Sequence, residues 1–310
     1  MYKNLILLLV IITTSCGSSK LFKYNYSNNA LLRPNRFAPF SGHEKIKPVD
    51  VHATAFNLNN AWWLSNFSHL AYFEGKPLEG HLTSRNLKLI KEFKVESTYA
   101  YLAEGKDFYV LAFRGTETPD VKDFWTDIDV RYFKHPDGYK LHNGFYKAYN
   151  LIKEDIASEL KKLSGKKIIF TGHSLGAALS ILAAYDNPPD IIYTYGSPRV
   201  GDKAFAEKFN AKVKNMWRIT NCSDVVCSLP PPVKYKHCGT HKFINHQALI
   251  LTDPSSVKIG KQRSKAGFSY FFHFAWLIPG NIWFRSFADH TITNYSATLG
   301  KLSMQEQEAK

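Results

Sequence analysis

The segment that most constrains this chain is residues 167–185, KIIFTGHSLGAALSILAAY. A short apolar run leads into Gly172-His173-Ser174-Leu175-Gly176, and an uncharged, Ala-rich stretch follows. That spacing predicts a buried strand, a tight turn and a buried helix, the unit from which parallel sheets are built. G-x-S-x-G in such a setting holds its serine on a strained strand-to-helix turn, with the hydroxyl outward at the C-terminal edge of the sheet. The start of the following helix favours negative charge developing nearby. Ser174 is therefore the candidate nucleophile.

A serine hydroxyl is a poor nucleophile by itself and needs a base that is in turn held by a carboxylate. On this type of turn the chain order is serine, acid, histidine, so both partners are sought downstream. Asp224, in NCSDVVCSLPPP, follows a strand ending at Thr220; Asp202 and Asp253 also follow strands and stay open on spacing alone. His290, in ADHTITNY at the start of a final amphipathic stretch, is the candidate base. His237, His241, His246 and His273 are its alternatives, with His246 in an apparent strand. An oxyanion needs preplaced donors. The N–H of Leu175 follows the nucleophile directly, and Thr116, where the strand ending FRGT closes, offers an N–H and a hydroxyl.

The surrounding pattern is that of an α/β chain with a largely parallel sheet. A helix is expected over residues 55–73, where Phe56, Trp63, Phe67 and Leu70 fall at helical spacing. Strands are expected over 94–103 and 107–115, joined by a turn at Glu104-Gly105-Lys106, and one amphipathic helix over 144–163. From residue 167 to 220 strands and helices alternate, and no internal repeat is present.

The first residues, MYKNLILLLVIITTSC, combine a positive charge, an apolar run from Leu5 to Ile12 and small residues ending at Cys16. The run is too short to span a bilayer of about 30 Å, and its flanks are those of an export signal. It resembles a bacterial lipobox, with Thr13 where that pattern has an aliphatic residue. The expectation is a signal over residues 1–15, a polar tether over 16–52 starting at a lipidated Cys16, and one folded domain over 53–310. Gly rather than Asp at position 17 fits sorting of such a lipoprotein to an outer membrane. The net charge of +14 suits an anionic lipid surface and equally suits plain solubility. No basic run with interleaved aromatics points to nucleic acid. Cys222, Cys227 and Cys238 suggest one disulfide and one free thiol. No Cys-x-x-Cys unit accompanies His237 and His241, so a metal is not expected.

Residues 267–287 place twelve large apolar side chains ahead of His290, next to the basic KIGKQRSK. Pro279-Gly280-Asn281 and Arg285 exclude a membrane span. Two readings stay open, a flap dipping into a lipid interface and a cover for the domain's own core.

FRGT, HNGF, GHSLG, YGSPRVGD, SDVVCSLPP and DHTITNY occur in that order, and together they resemble the class 3, or fungal-type, lipase family of α/β-hydrolases across residues 53–295. The resemblance implies an α/β-hydrolase fold, with a mostly parallel central sheet flanked by helices. It also implies a serine carboxylic-ester hydrolase, cleaving acylglycerol esters through an acyl-enzyme with no metal or organic cofactor. Ser174 would be nucleophile, His290 base and Asp224 orienting acid, with Thr116 and Leu175 as the oxyanion pair. Asp202, Arg199, Tyr235, His142 and Gly144 would be structural. ETPDVKDFWTD, with Phe124 and Trp125, matches the family's lid. The stretch from Lys258 to Phe287 departs from the family pattern and bears on substrate range. A phospholipase or short-chain esterase would use the same triad, and a silent lipid-binding envelope lipoprotein would show a broken one.

Overall fold

The computed structural model describes residues 24–42, 45–116 and 131–309. The expected signal, Cys16 and the matching lid stretch with Phe124 and Trp125 lie outside the described residues. No helix among the described residues is long and apolar enough to cross a membrane.

The strands are β1 (Lys88–Val95), β2 (Thr98–Glu104), β3 (Phe108–Phe113), β4 (Tyr132–Lys134), β5 (Lys140–His142), β6 (Lys167–His173), β7 (Ile191–Tyr195), β8 (Met216–Asn221), β9 (Thr240–Ile244) and β10 (Ile250–Thr252). Among the described residues, eight form one sheet in the order β1-β2-β3-β6-β7-β8-β9-β10, and β4 pairs with β5 separately. The five central strands β3, β6, β7, β8 and β9 run parallel, while β1, β2 and β10 are antiparallel to their neighbours. The helices are α1 (Asn28–Leu32), α2 (Leu58–Leu70), α3 (Gly75–Thr83), α4 (Asn143–Asn150), α5 (Lys153–Leu160), α6 (Leu175–Asp186), α7 (Lys203–Lys212), α8 (Ser256–Phe272), α9 (Arg285–Ala288) and α10 (Ile292–Glu308).

Two cores flank the sheet, and strand alternation explains them. Tyr101, Ala112, Ile169 and Tyr193 point into the core with α2 and α10, while Leu102, Leu111, Phe170 and Ile192 point into the core with α4 to α7. Central strands covered on both faces are buried at every position rather than at alternate ones, and IIYTY is buried throughout. One polar pair bridges the layers: the Ser68 hydroxyl meets that of Thr171 at 2.8 Å, fixing α2 across β6.

Several local expectations are corrected. The stretch 94–103 is not one strand, because Glu96 (φ 53°) turns the chain between β1 and β2. The expected helix over 144–163 is α4 and α5, broken at Leu151-Ile152. Phe145, Tyr149, Ile152, Ile156 and Leu160 all reach the same core, so their helical spacing continues through the break and hides it. His246 sits in the turn after β9 rather than in a strand. Cys222, Cys227 and Cys238 are free, without the expected disulfide. Each is buried in a different setting: Cys222 near the Gln262 carbonyl, Cys227 near the Tyr295 hydroxyl, Cys238 in the core with Met216.

Residues 24–42, placed in the tether by composition, lie against the domain. Phe40 is buried against Trp62, Trp63 and Phe67, with ring centroids 5.2–6.0 Å apart, and its N–H donates to Asn66 Oδ1. The segment is polar on average, yet it buries Ala30 and Phe40 fully and Leu31, Leu32 and Phe37 in part. That is sufficient to dock it.

Candidate active site

Ser174 stands between β6 and α6 with φ 59° and ψ −126°, a strained conformation for a residue with a side chain. Its N–H donates to the Tyr195 carbonyl at 3.0 Å, which ties the turn to β7. Gly176 makes the turn possible, since a Cβ there would come within 2.2 Å of the Phe113 carbonyl oxygen. The helix start thus presses against the end of β3, the strand leading to Thr116.

The structure brings Ser174, His290 and Asp224 together. Ser174 Oγ lies 2.9 Å from His290 Nε2, and His290 Nδ1 lies 2.9 and 3.0 Å from Asp224 Oδ1 and Oδ2. All three side chains are buried. A carboxylate only accepts, so the ring proton sits on Nδ1 and leaves Nε2 to accept from the serine hydroxyl. Burial alone would raise the Asp224 carboxyl, but the charge and hydrogen bond of His290 and the Tyr295 hydroxyl outweigh it and hold the group below its usual 3.8. The Tyr295 hydroxyl donates to Asp224 Oδ2 at 2.7 Å and accepts from the Asn221 N–H at 2.9 Å; the Val226 N–H donates to Asp224 Oδ1 at 2.9 Å.

The rivals are engaged elsewhere. Asp202 caps α7 by accepting from the Phe205 N–H, and Asp253 accepts from the His241 N–H. His237 Nε2 meets the Cys227 carbonyl, His241 meets the Thr220 hydroxyl, His246 meets Gln262, and His273 meets the Ser269 carbonyl. Arg199 holds the Ser228 and Pro230 carbonyls, and His142 caps α4.

Thr116 and Ser174 line one narrow cavity with His173, His290 and Tyr72. Thr116 Oγ1 is buried with no hydrogen-bond partner among the described residues. Leu175 is the first residue of α6, so its N–H is one of those that the helix leaves unused. Ala30, Leu31 and Pro34 form one side of the cavity wall, and Thr291 and Ile292 complete it. The segment expected to be a tether is therefore a strap over the serine. Its Pro34 carbonyl accepts from His69 Nε2 at 2.8 Å, and burial lowers His69 to about 4, so that ring is a neutral donor at ordinary pH.

Residues given no role by the sequence reading support this arrangement. His173 reaches the His290 carbonyl with Nε2 (2.6 Å) and the Tyr72 hydroxyl with Nδ1 (2.8 Å). Burial, then the charge of His290, lowers His173 to about 3, so it is neutral. A carbonyl cannot donate, so Nε2 carries the proton and Nδ1 accepts from Tyr72. The backbone of His290 is thereby held from the serine turn. On its other side Asp289 pairs with Arg285 at 2.7 Å, accepts from Tyr24, and accepts the Ser223 N–H at 2.9 Å. Gly196 (φ +61°) packs on the pair: a Cβ there would lie 2.8 Å from Asp224 Oδ2 and 2.9 Å from His290 Nδ1. Sequence offered only faint signals for these, namely the variable position inside GHSLG and a tyrosine five residues after His290.

Residues 110–234 match the family described as Lipase (class 3). A secreted mono- and diacylglycerol lipase A of Penicillium cyclopium is 33% identical over 165 residues, covering 48% of this chain and 52% of that protein. The chain thus spans about half the length of this curated relative. The solved Rhizomucor miehei lipase propeptide complex aligns with a TM-score of 0.50 and 25% identity, over 62% of this chain and 67% of that one. A solved MDLA variant from Penicillium cyclopium aligns with a TM-score of 0.56 and 24% identity, over 74% and 95% of the two chains, and bears on the fold alone. The fold is the α/β-hydrolase fold, and within it residues 110–234 are similar to the class 3 lipase family.

Proposed function

We propose that this chain is a serine carboxylic-ester hydrolase that cleaves acylglycerol esters, with Ser174 as nucleophile, His290 as general base and Asp224 as its orienting acid. The observation that carries the reading is the unbroken line from Ser174 Oγ through His290 to a buried Asp224, every link at 3.0 Å or less. His290 Nε2 takes the serine proton as Oγ attacks the ester carbonyl. The tetrahedral oxyanion is received by the Leu175 N–H and by Thr116 through its N–H and hydroxyl. His290 then protonates the leaving alcohol, and the acyl group stays on Ser174. A water that gives its proton to His290 attacks the acyl-enzyme, and the acid departs as the serine is restored. The imidazolium formed in each half is stabilised by Asp224, whose depressed pKa keeps it charged at neutral pH.

The acylglycerol substrate is supported by the lipase (class 3) match and by the relative's printed name. Export is supported by the apolar run from Leu5 to Ile12 and by the same relative's being a secreted protein. Cys16 is proposed as the acylated first residue of a mature envelope lipoprotein, with one catalytic domain following the strap. Ser174→Ala, assayed on emulsified acylglycerol and on a soluble p-nitrophenyl ester, is expected to lower hydrolysis by about 10⁴- to 10⁶-fold with the melting temperature kept. Retained hydrolysis would remove Ser174 from the mechanism. Acyl chains from two to eighteen carbons in the same assay separate a lipase from a short-chain esterase.

A further inference from the structure

We infer that the outer face of α8 and the loop after it form a docking surface for an anionic lipid bilayer. The inference rests on the ester-hydrolase reading only for its purpose, the presentation of lipid substrate.

The segment is folded onto the domain by one side. Ala266, Tyr270 and Ile282 are buried, the Tyr270 hydroxyl donates to the Ile282 carbonyl, and Arg263 reaches inward to the Cys222 carbonyl at 3.1 Å and the Ser228 hydroxyl at 2.8 Å. The other side is left open. Phe268 is 70% exposed, Trp283 73%, Leu277 and Ile278 58%, and Phe271 and Phe272 54%. Such a patch does not cover a core, which sets aside that half of the sequence reading. At about 100° per residue, Lys258, Lys261, Lys265, Phe268 and Phe272 fall within roughly 80° on one stripe of α8, opposite Ala266 and Tyr270. The stripe is cationic at its start and aromatic at its end.

Charge decides the occupant. No Asp or Glu occurs from Pro254 to Ala288, and the three lysines of the stripe are exposed. A second copy docked about a two-fold axis would bring this basic stripe against itself in a chain of net charge +14. An anionic membrane surface satisfies both halves, phosphates at the lysines and the headgroup boundary at the aromatic side chains. The same loop is joined to the strap over Ser174, through Ile282 N–H to the Tyr26 carbonyl (2.7 Å) and Asn28 N–H to the Gly280 carbonyl (2.8 Å). The surface and the strap that lines the site are thereby hydrogen-bonded to each other.

The test uses the full chain carrying Cys16→Ser, so that no acyl group contributes, with vesicles of phosphatidylglycerol and phosphatidylcholine or of phosphatidylcholine alone. Sedimentation is expected to show binding to the anionic vesicles that falls in 0.5 M salt. Adding Phe268→Ser and Trp283→Ser should lower it by at least about tenfold. Hydrolysis of a soluble p-nitrophenyl acetate and the melting temperature should be unchanged by that pair. Should the pair unfold the protein, Lys258→Glu, Lys261→Glu and Lys265→Glu replace it with the same expected loss. Equal binding by parent and variants overturns the inference, as does a parent dimer that dissociates in the variants with no vesicle binding. A parent that binds as expected but never cleaves the soluble ester refutes the hydrolase reading and leaves the docking surface standing.

Discussion

Tyr295→Phe tests the electrostatics of the site without touching a reacting atom. The hydroxyl is fully buried, donates to Asp224 Oδ2 at 2.7 Å and accepts from the Asn221 N–H at 2.9 Å. Removing it takes one hydrogen bond from a buried carboxylate and leaves a backbone donor without its acceptor. A hydrogen bond to a charged group contributes about 1.5–3 kcal/mol. At about 2–4 °C per kcal/mol for a domain of this size, the melting temperature should fall by roughly 3–12 °C. Activity should suffer less, because His290 Nδ1 still meets both Asp224 oxygens. A loss of about three- to tenfold in kcat, with KM kept, corresponds to roughly 0.7–1.4 kcal/mol. The pH dependence has a definite sign. Asp224 has a folded pKa below its unfolded value. Its contribution to stability is therefore present above the unfolded value and is lost as pH falls through the folded one. The gap between parent and variant should be full above about pH 5 and should narrow on acidification below about pH 4. Calorimetry across that range, with single-turnover and steady-state kinetics at pH 7, reads both effects. An unchanged melting temperature, or a gap that widens toward acid, would refute the reasoning.

Gly196→Ala should lower kcat by at least about a hundredfold, because its methyl group would intrude between Asp224 and His290 at a left-handed backbone position; near-parent kinetics would show that the pair can move aside. Metabolic labelling with a radioactive fatty acid should mark the full chain, and Cys16→Ser should abolish the mark. A soluble, unlabelled parent would reduce the leader to an ordinary export signal.

What was legible in the sequence is what local pattern determines. The strand, glycine turn and Ala-rich helix around Ser174 follow from apolar runs that have only one way to be buried, and α6 and β6 lie where those runs lie. Chain order points to Asp224 and His290 as candidates, and resemblance separates Asp224 from Asp202 and Asp253. What was not legible depends on contacts between distant segments. Nothing in residues 24–36 announces a strap, because Ala30, Leu31 and Pro34 are unremarkable in composition and acquire their place only beside Ser174 and His290. His173 reads as a spacer in GHSLG, since its role needs Tyr72 from α2's end and the carbonyl of His290, 117 positions away. The aromatic stretch was undecided because burial of an apolar side chain is a tertiary property. Tyr270 and Phe271 are neighbours in sequence, and one is buried while the other is open.

The burial of Asp224 connects the two ends of this molecule. An ionised carboxylate removed from water costs several kcal/mol, so it persists only where hydrogen bonds replace the lost hydration. Its two oxygens receive His290 Nδ1, the Tyr295 hydroxyl and the Val226 N–H, and its own backbone carbonyl accepts from Arg263 Nη2 at 3.3 Å. Arg263 belongs to α8, whose opposite face carries Lys258, Lys261 and Phe268. The loop that holds the acid is thus anchored by the same helix that presents the basic and aromatic stripe to solvent. Substrate arriving from a lipid surface would meet a site whose acid is held by a loop anchored to the helix that carries the docking face, so that orientation at the surface is coupled to the position of the acid.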